Sequence, residues 1–161
     1  MTPSDSDQGR VAGIDYGTVR IGIAISDPGR TIAGPYENYT RRGPKLDAAR
    51  FVRLVEEEDI SLFVVGLPVH LDGGESKKSA EAREFGAWLT ETTGIGVEFF
   101  DERFTSVEAE NLMLDAKMHG ARMTRKRRKE RLDMIAAQLM LSAYLDSSAH
   151  SRGADPGAID E

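Results

Sequence analysis

Residues 13 to 27 read GIDYGTVRIGIAISD, and how they are read decides the fold. Asp15 closes a short apolar run over 10–16, and Gly17 marks a tight turn. A second run then resumes at once, with Ile21, Ile23 and Ile25 alternating with Gly22, Ala24 and Ser26. Alternation with a period of two is the signature of a strand with two unlike faces. Residues 10–16 and 20–27 are therefore expected to pair as an antiparallel hairpin. A third, weaker strand over 31–38 contains Pro35, which points to an edge position because proline cannot donate to a ladder. Aspartate is a poor strand former, and a carboxylate at a strand end must be solvated, paired or bound to a cation. Whether Asp15 has a task depends on which other acids reach it.

Beyond residue 40 the period changes. Over 45–60, KLDAARFVRLVEEEDI places Ala48, Phe51, Val52 and Val55 on one helical face. SLFVVGLP, 61–68, is a continuous apolar run closed by Gly66 and Pro68, as in a strand buried on both sides. A helix is expected over 76–92 with Ala82, Phe85 and Leu89 inward, and VEFFDE, 97–102, is a strand ending in Asp101 and Glu102. Thr105 and Glu108 form a capping box for a further helix that Gly120 stops. The last helix is expected over 124–145, with Leu132, Ile135, Ala136, Leu139 and Ala143 inward. The order βββ-α-β-α-β-α-α predicts an α/β fold: a mixed sheet of three antiparallel strands, then two parallel strands, flanked by helices. Ligands of such sheets bind at the carboxyl ends of the strands. Asp15, the GLP segment and the Asp101–Glu102 pair all sit at such ends.

A chain of 161 residues with 40% hydrophobic content fits one domain, here 10–146, with polar, aperiodic stretches over 1–9 and 147–161 expected as mobile tails. The absence of cysteine excludes a disulfide framework and a thiolate nucleophile, which suits a reducing compartment. The start lacks an apolar signal core, and no run nears the roughly 20 apolar residues of a membrane span. A cytoplasmic protein with no membrane partner is expected. The net charge of −6 hides an asymmetry: RMTRKRRKER, 122–131, carries seven basic residues against Glu130, a local +6 that leaves −12 on the rest of the chain. Such a block is either one patch attractive to a polyanion or a solvated helical face.

Asp133 is the only charge from 132 to 145, on a helical face shared with Ala137, Met140 and Tyr144, so it points toward packed structure. Taken singly, each acid has a plain explanation as a turn aspartate, a solvated loop pair or a polar-stripe residue. Drawn together they repel, by about 1 kcal/mol per pair at 4 Å in water and about 4 at an effective dielectric of 20. Protonation or a divalent cation relieves this. All-oxygen donors select Mg²⁺ or Mn²⁺ over zinc, and His70, His119 and His150 are scattered and expected on the surface. Carboxylates with a hard cation beside a basic helix fit metal-assisted hydrolysis of a phosphodiester. Arg125, Lys126, Arg128 and Lys129 would hold flanking phosphates. Arg20 and Arg103 would either contact a substrate phosphate or pair with a nearby acid.

GIDYGTVRIGIAISD, VVGLPVHLDGGES, DERFTSVEAE and RLDMIAAQLMLSAYLD, in this order, resemble the YqgF/RuvX family of bacterial proteins, which have an RNase H-like fold and are related to the RuvC Holliday-junction resolvase. The resemblance covers nearly all of 10–146. It implies a nuclease processing the 5′ end of precursor 16S rRNA, with Holliday-junction resolution as the family's older assignment. It also implies that Asp15, an acid of the DER motif and Asp133 form the metal-binding catalytic set. Alternation along 97–102 puts Glu102 with Glu98 and Phe100, opposite Asp101, and Glu102 is preferred with Asp101 as second choice. The family's D-E-R-x-T-T motif has Ser106 at its last position here, which keeps a hydroxyl. The LPVHLDGGES loop enters a helix whose amides could bind phosphate, or is a plain connection.

Two other readings stand beside this one. An Asp-x-Gly-Thr hairpin also opens the sugar kinase, Hsp70 and actin type of ATPase, which needs a second lobe that this chain is too short to hold. A nucleic-acid-binding module that keeps the fold without cutting is the other. The sequence shows no aromatic stacking platform of a single-strand binder, and a basic helix reads backbone rather than bases. RNA and branched DNA therefore remain open as partners, as do monomer and homodimer.

Overall fold

The computed structural model describes residues 9–68, 76–102 and 125–154, with no side chain described for Lys126, 128–130 or 149–154. In chain order the described elements are β1 (Arg10–Asp15), β2 (Arg20–Ser26), β3 (Ala33–Thr40), α1 (Pro44–Glu58), β4 (Ile60–Leu67), α2 (Lys77–Thr93), β5 (Val97–Asp101) and α3 (Arg125–Ala154). The helix expected from Thr105 lies outside the described residues.

The five strands form one sheet in the order β3-β2-β1-β4-β5. β1 pairs antiparallel with β2, and Asp15 stands opposite Gly22. β4 runs parallel to both β1 and β5. This is the expected mixed sheet, three antiparallel strands followed by two parallel ones. β3 occupies an edge, as Pro35 requires. Its register slips by one residue between Glu37 and Pro35, so Tyr36 forms a bulge that accommodates the proline.

The alternation of the hairpin sorts side chains between two layers. Ile14, Ile21 and Ile23 face α1 and α2, where Phe51, Phe63, Phe85 and Leu89 complete a buried core. Val11, Ala24 and Val64 face α3 and meet Ala137, Met140, Leu141 and Leu145. From Phe63 to Leu67 β4 is buried on both sides, as a run without polar residues demands.

Two helical faces differ in phase from the sequence expectation. In α1 the buried positions are Asp47, Phe51 and Leu54, not the Ala48, Phe51, Val52, Val55 stripe. A hydropathy pattern sends an aspartate outward. Here Asp47 turns inward because it accepts from the Tyr39 hydroxyl at 2.6 Å, the Arg42 amide at 2.9 Å and Arg41 Nε at 3.3 Å. Burial alone would raise the Asp47 carboxyl, but these bonds outweigh it and hold the group below its usual value. In α3 the buried residues are Ala137, Met140, Leu141 and Leu145, while the expected stripe of Leu132, Ile135, Ala136, Leu139 and Ala143 is only half-buried. The apolar residues of this helix go nearly all the way round, so the stripe was ambiguous; the sheet took the face that carries Asp133. The helix also continues past 145 to Ala154, into the stretch expected as a tail.

Candidate active site

Gly17 makes the sharp turn out of β1, where an added Cβ would meet the Arg20 carbonyl oxygen at 2.2 Å. The turn sets Asp15 and Arg20 side by side at one end of the sheet. Both line a cavity of about 560 Å³, together with Lys77 and Lys78 from the first turn of α2 and Asp133 from α3. The α2 turn is fixed by Ser76, whose hydroxyl accepts from the Ser79 amide at 3.0 Å and donates to the Pro68 carbonyl at 3.2 Å. This cap ties the helix to the carboxyl end of β4.

The Asp15 carboxyl is pushed up to about 7, first by burial, then by the nearby Glu102 charge and, less strongly, by Asp133; the Lys78 ammonium partly offsets the rise. Glu102 is raised by its own burial and by Asp101, with Lys78 again opposing. Two desolvated acids thus share one lysine. Glu102 lies over Gly66 of β4, whose missing side chain leaves it room: a Cβ there would stand 3.1 Å from Glu102 Oε1. Of the two DER acids it is Glu102 whose charge acts on Asp15. The Phe100 ring meets Tyr144 of α3 edge-on, so the even positions of β5 do face α3, as alternation required.

Asp133 is positioned by a close approach of α3 to β2. A Cβ at Gly22 would come within 2.4 Å of the Asp133 carbonyl oxygen, so only glycine admits the helix there. The Asp133 carboxylate accepts from Asn38 Nδ2 at 3.4 Å and stands 3.6 Å from Arg20 Nε. That Arg20 nitrogen is buried with no hydrogen-bond partner among the described residues.

The structure therefore brings Asp15, Glu102, Asp133 and Arg20 to one end of one sheet face. It does not gather three acids into a finished cage: among the described residues no group of three potential ligands stands close enough to hold an ion. The donor chemistry still fits a hard divalent cation, because the groups are all carboxylates and burial, with the Glu102 charge, raises the innermost to about 7 despite Lys78. Arg125 and Arg127 are exposed at the start of α3, and Lys126, Arg128 and Lys129 lie on the same turns without described side chains. Arg103, His70 and His119 lie outside the described residues. Sequence reasoning missed Lys78, Asn38 and Glu81; only the Ser76 cap signal, which opens α2 toward the β4 end, could have drawn attention to Lys77 and Lys78. No described helix is long and apolar enough to cross a membrane.

Known proteins resemble this chain in sequence and in fold. A family model described as "RuvX: Holliday junction resolvase" matches residues 9–147. A Rhodopirellula baltica protein named "Putative pre-16S rRNA nuclease" is 50% identical over 139 residues, 86% of this chain and 78% of that protein. A Koribacter versatilis protein of the same name is 38% identical over 146 residues, 91% of this chain and 92% of the relative. Among solved structures, T. thermophilus RuvC in complex with a Holliday junction substrate superposes with a TM-score of 0.56 at 14% identity, covering 87% of this chain and 96% of that one. At that identity the likeness speaks for the RNase H-like fold alone, which agrees with the sheet order. From the sequence match over nearly its whole length, this chain belongs to the RuvX family.

Proposed function

We propose that this protein is a metal-dependent endonuclease that hydrolyses the RNA backbone of precursor 16S rRNA, working in the cytoplasm. The observation that carries the reading is Asp15: a carboxyl pushed up to about 7 by burial and by Glu102, in a cavity with Arg20, Lys77 and Lys78 on its wall. Such a site stores unfavourable negative charge beside cations placed for a phosphate. The names of relatives at 38–50% identity support rRNA as substrate.

Asp15, Glu102 and Asp133 are the residues assigned to hold Mg²⁺ or Mn²⁺. Bound there, a divalent ion would supply Lewis-acid charge to the phosphate and to the attacking water. Asp15 and Glu102 bring the negative charge that such an ion neutralises. Asp133, now turned to Arg20 and Asn38, is the member that must reorient. Arg20 then gains a phosphate oxygen for its unpartnered Nε, and Lys78 holds a second oxygen across the cavity. Arg125, Lys126, Arg128 and Lys129, with Arg103, bind flanking phosphates and make affinity fall with salt.

The test is cleavage of precursor rRNA and of a synthetic four-way junction, each with Mg²⁺ or Mn²⁺, by wild type, Asp15→Asn and Asp133→Asn. Cleavage of the precursor near its 5′ end, lost in both variants with binding retained, is the expected result. Equal cutting by the variants would overturn the site, and preference for the junction would return the substrate to DNA, as the family description has it. Full function in both variants without any cleavage would make the protein a binding module.

A further inference from the structure

A second cavity, of about 320 Å³, adjoins the first, and Tyr16 and Glu81 line both. Its other walls include Arg41, Glu84, Phe85 and Trp88. No aromatic platform is visible along the sequence, because Tyr16, just after β1, meets Phe85 and Trp88 of α2 only in the fold. Trp88, half-buried, stacks on Phe85 with centroids 5.3 Å apart and 30° between planes. Tyr16 meets the same phenylalanine at 5.1 Å.

Arg41 is held rigidly in this cluster. Its guanidinium lies 5.5 Å from the Tyr16 ring centre and 5.6 Å from that of Phe85. Nε donates to the buried Asp47 at 3.3 Å, and Nη1 donates to the Tyr16 hydroxyl at 3.1 Å. Nη2 makes no hydrogen bond among the described residues. Glu81 and Glu84, one turn apart on α2, only accept hydrogen bonds when ionised. Asp47 already balances the charge of Arg41, so the two glutamates leave the cavity negative and unsuited to phosphate. A wholly apolar ligand would make no use of the two glutamates or of Arg41 Nη2. A flat base with ring-plane donors and acceptors meets all of these groups. Guanine alone offers paired acceptors, O6 and N7, to a guanidinium and paired donors, N1–H and N2–H₂, to a carboxylate.

We propose that this cavity binds an unpaired guanine of the substrate strand, next to the phosphate held by Arg20 and Lys78, and so selects where the chain is cut. Recognition of a splayed base against rings and an arginine plane is how proteins read single-stranded RNA. The proposal deepens the nuclease reading and rests on it for the identity of the strand.

Trp88 is the protein's single tryptophan, so its fluorescence reports on this cavity directly. The full chain is titrated with GMP, AMP, CMP and UMP. GMP is expected to change the emission saturably and to bind at least fivefold tighter than the others, and Glu84→Gln and Arg41→Lys are each expected to erase that preference. Equal responses to all four nucleotides, no response, or a preference that survives both variants would overturn the proposal. A second arm maps cleavage on precursor RNA in which the guanine beside the cut is replaced by inosine or adenine. A slowing of about tenfold with adenine and less with inosine is expected. Cutting that ignores the base, yet is lost in Asp15→Asn, removes the guanine site and leaves the nuclease standing. Selective GMP binding with no cleavage of any RNA does the reverse.

Discussion

The α1/α2 side of the sheet is filled by Phe51, Phe63, Phe85 and Leu89, whereas the α3 side presents Gly13, Gly22, Ala24 and Gly66 to a single helix. Both layers hold fully buried residues, but they solve different problems. On the first side, bulky rings meet edge-on at centroid distances of 5.7 to 6.3 Å around Phe51, which maximises buried area and dispersion. On the second, side chains are pared away so that helix backbone can lie almost on strand backbone. That arrangement gives up burial and gains position: Asp133 reaches the end where Asp15 stands, and Glu102 folds over β4. Stability is thus concentrated on one face of the sheet and chemistry on the other.

Truncation on the filled side should have the largest effect on stability. Phe51→Ala is expected to cost about 4 kcal/mol in urea unfolding, because a fully buried ring leaves a cavity that its aromatic neighbours cannot close. Any loss of nuclease activity per folded molecule should be confined to guanine preference, through Phe85 and Trp88 against which Phe51 packs; a collapse of cutting irrespective of the base would show that the two faces are not separable. Gly22→Ala comes next, at about 3 kcal/mol, since the added methyl must displace the α3 backbone. Here activity per folded molecule should fall at least tenfold. Gly34→Ala on β3 is the control, because a Cβ there meets nothing within 4 Å.

The same contrast explains what the sequence disclosed. Period-two alternation in 20–26 and the unbroken apolar run of 61–67 depend on burial alone, so every described strand was legible, and Pro35 named its own edge. The inward phase of α1 was not legible, because it hangs on Asp47 finding Tyr39, Arg41 and Arg42, a three-partner arrangement that no hydropathy period encodes. α3 failed for the opposite reason, being apolar all round; yet the isolation of Asp133 within it correctly marked the face that meets the sheet. Asp15 and Glu102 announced themselves at strand ends. Lys78 and Asn38 did not, since a lysine in a first helical turn and an asparagine on an edge strand look like ordinary surface until the chain brings them to the acids. The aromatic cavity was invisible because Tyr16 lies some seventy residues from Phe85 and Trp88, and Arg41 more than forty.

Asp15→Asn should separate the faces through pH. The folded carboxyl, at about 7, lies above its ordinary 3.8. Below about pH 4 it is protonated whether the chain is folded or not, and costs nothing. Between 4 and 7 the unfolded chain loses the proton that the folded chain keeps, so stability falls as pH rises, and the full cost is present above 7. The asparagine variant escapes this. It is expected to be more stable than wild type by up to roughly 4 kcal/mol at pH 8, with the gain vanishing toward pH 4. Excess Mg²⁺ should stabilise wild type and close the gap, and it should leave the variant unchanged. A gain independent of pH would mean that Asp15 is solvated and that the α3 face stores no charge.

Gly66→Ala has the smallest expected effect on stability and bears most sharply on the division of labour. Its Cβ would stand 3.1 Å from Glu102 Oε1 and 3.2 Å from Cδ and Cγ, and these atoms belong to a flexible side chain, not to backbone. Glu102 can therefore give way, and the unfolding free energy should change by less than about 1 kcal/mol. The displaced carboxylate, however, no longer sits where its charge acts on Asp15. Cleavage should drop about tenfold in kcat with KM nearly unchanged, since substrate phosphate is held by Arg20 and Lys78, not by the acid. The Asp15 titration should shift downward in the same variant. An alanine here that costs several kcal/mol would mean that Glu102 is wedged in place by packing; one that leaves kcat untouched would move the acid's role to Asp101.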